Sequence, residues 1–247
     1  MARPHQETEL CGMIPEENDP EFVSQHLSAY TFMRPHAVGK RLLEIGFGDG
    51  YGSAYLAEAA KEVVGVDVAA GNIPRAGAKY PRPNLTFLPF DGSHLPFPDE
   101  AFDLAGSFQV IEHVSEPQLL PWLLEIKRVL KRDGALFLST LNLEQARKPG
   151  KPYQKLIYHE KEFTAPELEE LLKQAFPNVV MYGLHPALKH RFFRRLKRWG
   201  IFKDFPPAID LVRRHYTGVT VKDFVAARGG IRRALDLFAV CRKPEGA

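Results

Sequence analysis

Four glycines in one short segment, Gly46, Gly48, Gly50 and Gly52, and three acids, Glu44, Asp67 and Asp91, are spaced as a small-ligand site requires. The segment Gly46-Phe47-Gly48-Asp49-Gly50-Tyr51-Gly52 follows directly on the run Arg41-Leu42-Leu43-Glu44-Ile45. Glycines suit such a loop because the backbone turns sharply there and a Cβ would take the space of a ligand. Glu44, two residues before Gly46, is placed to attract the amino group of a bound amino acid, directly or through solvent. Asp67 ends the run Val63-Val64-Gly65-Val66-Asp67, where an acid accepts from both hydroxyls of a ribose. Asp91 lies at the mouth of the next apolar run, in reach of an adenine amino group. A ligand with a cationic amino acid end, a ribose and an adenine satisfies all three acids. S-adenosylmethionine is such a ligand.

Two other readings of the loop stay open. One is a tight structural turn. The other is a nicotinamide dehydrogenase, whose loop wants G-x-G-x-x-G. Here the third glycine, Gly50, comes one position early, and Glu44 and Asp49 flank the place of a pyrophosphate. Like charges a few ångströms apart cost on the order of a kcal/mol even when partly solvated.

These residues need a scaffold, and the pattern of the chain supplies one. Short apolar runs at 41–45, 63–67, 85–88, 103–108 and 135–140 alternate with helical patterns near 52–60, 73–78 and 119–130. That alternation predicts a parallel sheet with crossover helices. Lys131-Arg132-Asp133-Gly134 reads as the end of the third helix, with cations and a glycine at its C-terminus. Residues 165–175 predict a further helix capped by Thr164, and 179–182 with 234–240 predict two more strands, paired with each other. A helix over 19–34 precedes the first strand as a cap. The expected fold is α/β, a doubly wound Rossmann-like sheet of seven strands with the last antiparallel. Its expected parts are a cap (1–39), a cofactor-binding core (40–184), a basic helical insertion (185–231) and a last strand with tail (232–247), all in a single domain.

The chain of 247 residues is 45% hydrophobic and carries 33 basic and 30 acidic residues, a formal charge of +3. This balance does not by itself argue for a nucleic-acid partner, and none is expected; any basic signal is local. Cys11 and Cys241 alone form neither a disulfide framework nor a metal-ligand cluster, and are expected as reduced thiols; no metal site is expected. Residues 1–18 contain no apolar core of a signal peptide, and no run of eighteen apolar residues follows, so a cytoplasmic location is expected.

With these residues in view, the chain resembles the class I S-adenosylmethionine-dependent methyltransferases, particularly their small-molecule, ubiquinone-biosynthesis-like branch. The resemblance rests on Leu42 to Gly50, Val66-Asp67, Phe90-Asp91, Phe102-Asp103-Leu104 and Arg128 to Gly134, in that order. It implies that Glu44, Gly46, Gly48 and Gly50 cradle the methionine part and that Asp67, with Val68, holds the ribose. Asp91, with Gly92, would take the adenine, and Gln109 would line the site near the sulfonium. Phe47 stands where the family often has cysteine or alanine, with its side chain expected to point away from the cofactor. His26-Leu27-Ser28-Ala29-Tyr30 and Glu162-Phe163-Thr164-Ala165-Pro166-Glu167-Leu168 also resemble bacterial methyltransferases associated with cell-envelope polysaccharides. That second likeness implies a glycan or glycolipid-precursor acceptor, with His26 and Tyr30 closing over the cofactor.

Methyl transfer from a sulfonium is an in-line displacement, so the protein mainly aligns the partners. A base is needed where the acceptor must lose a proton. His113, in Val110-Ile111-Glu112-His113-Val114, and His159, beside Tyr158, are the candidates; their plainer readings are a capping and a surface histidine. Family members acting on exocyclic base or amide nitrogens carry an Asn/Asp-Pro-Pro turn where this chain has Gln109-Val110-Ile111-Glu112, which favours oxygen, carbon or simple amine acceptors. Two other classes stay open, a non-catalytic module on the same fold and an RNA methyltransferase.

Residues 189–203 interleave seven Lys/Arg with six large apolar residues, mostly at helical spacing. Such a stretch suits an acceptor cap, an anionic membrane or RNA, or else a structural cap with a solvated face. Its place between the last two strands favours the cap over a small-molecule or lipid-linked acceptor, with peripheral membrane contact as the second use.

Overall fold

The computed structural model describes residues 12–147, 152–199 and 206–244, so Cys11, residues 200–203 of the basic stretch and 245–247 lie outside it. Five strands, β1 (Arg41–Ile45), β2 (Glu62–Asp67), β3 (Leu85–Pro89), β4 (Phe102–Phe108) and β5 (Leu130–Leu141), form the parallel part of the sheet. β6 (Asn178–Pro186), β7 (Phe224–Ala227) and β8 (Asp236–Arg242) complete it in the order β3-β2-β1-β4-β5-β8-β6-β7. The strand order reverses between β1 and β4, which opens the crevice where doubly wound folds bind ligands.

The helices are α1 (Pro20–Ala37), α2 (Tyr51–Ala57), α3 (Asn72–Lys79), α4 (Leu119–Val129), α5 (Leu143–Ala146), α6 (Ala165–Ala175), α7 (Leu188–Trp199) and α8 (Pro206–Thr217). Alternation along β5 shows why the sheet needs both faces covered. Leu136 and Leu138 face the cluster built by α4 and α6, while Ala135 and Phe137 face α1 and α2. On α4 the stripe Leu119, Trp122, Leu123, Ile126 and Val129 is buried throughout, each side chain contributing about 1.5–3 kcal/mol of gross burial. Thr164 caps α6 reciprocally with Glu167, whose Oε2 accepts from the Thr164 N–H at 2.8 Å.

The structure departs from the expected fold in four places. β7 is an eighth strand, folded from the insertion and paired antiparallel with Gly183–Pro186 of β6. It is four residues long on the sheet edge and shows no alternation to announce it. β6 and β8 do pair, antiparallel, but β6 runs to Pro186 and β8 starts at Asp236, two residues late. Lys131 to Gly134 belongs to an irregular entry into β5, with a register shift against β4 between Phe102 and Leu104. Gly134 fits because a Cβ there would lie 2.9 Å from the Lys131 carbonyl and 3.0 Å from that of Asp103. Finally, α1 is more than a cap: Met33 and Ala37 are fully buried, and Phe32 packs on Phe137, Tyr182 and Phe238.

Candidate active site

The glycine segment leaves β1 at the crevice, and the Gly46 N–H donates to Val66 O at 2.8 Å, binding the loop to the end of β2. Gly46 has φ +77°, and a Cβ there would stand 2.5 Å from Val110 Cγ2. Gly52, in the first turn of α2, lies under Tyr30; a Cβ would fall 2.0 Å from that ring. Gly48 and Gly50 complete the turn with φ of +57° and +92°. Chain ahead of α1 crosses the same loop, since a Cβ on Gly12 would stand 2.8 Å from Gly48 Cα.

Glu44 is 1% exposed, and both its oxygens accept from the protein: Oε1 from the Tyr30 hydroxyl at 2.6 Å, Oε2 from Ser53. Burial pushes its carboxyl up to about 7, with the Asp67 charge adding to the rise. Tyr30, wedged between Phe108 and Tyr51, has its own hydroxyl pushed upward by burial and by Glu44. Each carboxylate oxygen has a second lone pair, so a further donor can still be taken. Asp67 holds the loop rather than standing free. Its Oδ2 accepts from Gly48 N–H and its Oδ1 from Ala69 N–H, both at 2.8 Å. Val68, directly after it, is 56% exposed and borders Gly92, where a Cβ would come within 3.7 Å of Val68 Cγ1. Asp91 Oδ1 accepts from Ser93 N–H, Ser93 Oγ and His94 N–H, tying the turn after β3; the His94 bond above all holds this carboxyl below its usual range. An apolar side chain left in solvent between two strand-end carboxylates fits an adenosine. Phe47 turns away from this notch and packs on Phe87 at 4.5 Å between ring centroids.

Asp49 plays a part that the sequence reading missed. It is 1% exposed inside the glycine segment, yet Lys79 at 3.1 Å, the Tyr80 hydroxyl at 2.7 Å and the Arg75 charge at 3.2 Å surround it. Its charge is spent on α3, so the repulsion of a pyrophosphate falls to Glu44. The signal was the i, i+4 spacing of Arg75 and Lys79 on one helix face.

His113, in the turn after β4, and His159, in the loop before α6, come together from distant parts of the chain, their rings perpendicular with centroids 4.9 Å apart. His113 is exposed, and its Nδ1–H donates to Tyr158 O at 2.9 Å, which leaves Nε2 as the acceptor. His159 Nδ1 lies 2.7 Å from Glu162 Oε1; burial, with His113 and Lys155 nearby, holds its ring down at about 4. Glu112 is 1% exposed with Oε2 unpaired, and burial pushes it up to about 8. The ligand atoms of Glu112, His113 and His159 all lie within 4.8 Å of one another, a group able to share a proton or hold a divalent cation. Spacing hid this group because His159 is distant in sequence from the Glu112-His113 pair. Gln109, at the end of β4, has φ +57°, a strained value for a side chain that large; its N–H donates to Ser139 O at 2.9 Å. His26 packs on Phe22, ring centroids 4.4 Å apart and tilted by 53°, and makes no contact with the glycine segment among the described contacts.

Residues 43–138 match the family described as a methyltransferase domain. A probable S-adenosylmethionine-dependent methyltransferase of Mycobacterium tuberculosis is 30% identical over 235 residues, covering 89% of this chain and 83% of the relative. A ubiquinone biosynthesis O-methyltransferase of Cereibacter sphaeroides is 37% identical over 106 residues, 42% of each chain. Among solved structures, an S-adenosylmethionine-dependent methyltransferase from Mesorhizobium loti superposes with a TM-score of 0.58 at 16% identity, covering 89% of this chain and 98% of that one. This last likeness concerns the fold alone.

Proposed function

The chain belongs to the S-adenosylmethionine-dependent methyltransferases, and from that premise we propose that it methylates a hydroxyl of a small or lipid-linked acceptor such as a glycan precursor. S-adenosylmethionine supplies an electrophilic methyl group, and the chain's own residues have to hold it and prepare the acceptor. Tyr30, Glu44, Gly46, Gly48 and Gly50 are assigned to the methionine end, Asp67 and Val68 to the ribose, Asp91 and Gly92 to the adenine, and Gln109 to the methyl's surroundings.

The observation that carries the hydroxyl reading is the His113–His159 pair, 4.9 Å apart beyond the end of β4. A hydroxyl must shed its proton as the methyl arrives. His113, with Nδ1–H anchored on a backbone carbonyl, has Nε2 left to take it. Leu156, Ile157 and Tyr158, 58%, 86% and 82% exposed, form an apolar lip beside this pair and suit an acceptor with an apolar portion.

Labelled-methyl transfer to small-molecule and lipid fractions tests the reading. His113→Ala is expected to lower turnover about 10²–10⁴-fold with unchanged affinity for S-adenosylhomocysteine, while Asp67→Ala loses that affinity. Full turnover in His113→Ala, or label found in RNA alone, overturns it.

A further inference from the structure

α7 carries six Lys/Arg and no acid in twelve residues, on a chain whose formal charge is only +3. Its inner face is satisfied by the rest of the molecule. His190 is fully buried, Phe193 stacks on His215 at 4.0 Å, Arg194 pairs with Glu21, and Lys197 sits over the Tyr216 ring at 4.0 Å. The outer face is not. Leu188 is 76% exposed and Phe192 is 55% exposed, one turn apart and therefore side by side. Lys189, Arg191 and Arg195 flank them, all exposed, and none forms an ion pair among the described residues. α8, packed on the inner face, leaves Ile209 and Leu211 exposed as well.

The geometry points to an anionic lipid bilayer as the partner of this outer face. Two large apolar side chains ringed by uncompensated cations match the headgroup boundary: Leu188 and Phe192 enter the acyl edge, and the guanidinium groups stay at the phosphates on flexible stems. A polyanion such as RNA would take the cations but leave aliphatic Leu188 in water. Charge complementarity and the apolar pair together select the bilayer. The docking stands apart from the acceptor's identity, since neither face of α7 contributes to the cofactor notch.

Co-sedimentation of the full chain with vesicles tests it, using phosphatidylcholine with and without phosphatidylglycerol. The protein is expected to partition onto the vesicles containing phosphatidylglycerol and to leave them as salt rises. Leu188→Ser with Phe192→Ser, and separately Arg191→Ser with Arg195→Ser, should each weaken partition about tenfold or more. Both variants should keep the wild-type melting temperature and affinity for S-adenosylhomocysteine. Equal binding to phosphatidylcholine alone, no binding to either vesicle, or variants that bind like wild type overturns the proposal. So does homopolymeric RNA that binds at least as tightly and displaces the vesicles.

Discussion

The Glu44 carboxyl is pushed up to about 7 by burial, while Tyr30 and Ser53 donate to it. In the free protein it therefore exchanges its proton near neutrality. An ammonium group arriving beside it favours the charged form, so binding below about pH 7 must expel a proton. The sign follows: affinity for S-adenosylhomocysteine should be flat above about pH 7 and fall by up to about tenfold per pH unit below it. Calorimetric titration in buffers of different ionisation enthalpy reads the released proton, and Glu44→Gln should abolish both effects. A binding heat independent of buffer would remove Glu44 from the ligand's amino end. The acid itself was legible from its place two residues before Gly46. Its bonds were not: Tyr30 was in view on the helix before β1, but that it and Ser53 donate to this carboxyl depends on how α1 and α2 pack over β1. Likewise His113 and His159 were each visible as candidates, while their meeting needed the fold.

At the scale of elements, the loop between β1 and α2 is stiffened from outside by α3. Asp49 does this from a buried position, against Arg75, Lys79 and the Tyr80 hydroxyl. Asp49→Ala strands two partly exposed cations against the loop and should cost about 1–3 kcal/mol. In a chain this long, that lowers the melting temperature by roughly 2–4 °C per kcal/mol, and scanning calorimetry reads the change. A melting temperature within a degree of wild type would show that α3 holds the loop by its apolar contacts alone. β1, β2, β4 and the apolar part of β5 were readable because each is an apolar run bounded by turn residues and buried on both faces, and β3, half-exposed on the sheet edge, by its apolar Leu-Thr-Phe-Leu run between turns. β7 was not, since Phe-Val-Ala-Ala on an edge has neither length nor alternation. Lys131 to Gly134 misled because a helix stop and an irregular strand entry use the same residues. What separates them is the crowding of Gly134 by two carbonyls.

Across the whole molecule, the N-terminal helix belongs to the core and the insertion to the periphery. Hydrogen exchange should show it. Amides of α1, whose Met33 and Ala37 are fully buried, should exchange with those of β4 and β5, and those of α8 much earlier. Early exchange of α1 would restore it to the role of a lid. The sheet order has another consequence. β8 lies between β5 and β6, antiparallel to both, yet it follows them and β7 along the chain. A ribosome therefore delivers the two walls before the piece that joins them. Throughout that interval β5 and β6 stand as open edges, with Leu136, Phe137 and Leu138 on one and Met181 and Leu184 on the other, all destined for the interior. The nascent chain is at its stickiest just before β8 emerges, and a stop codon ahead of residue 236 yields no smaller enzyme, only a sheet with an empty slot through its middle.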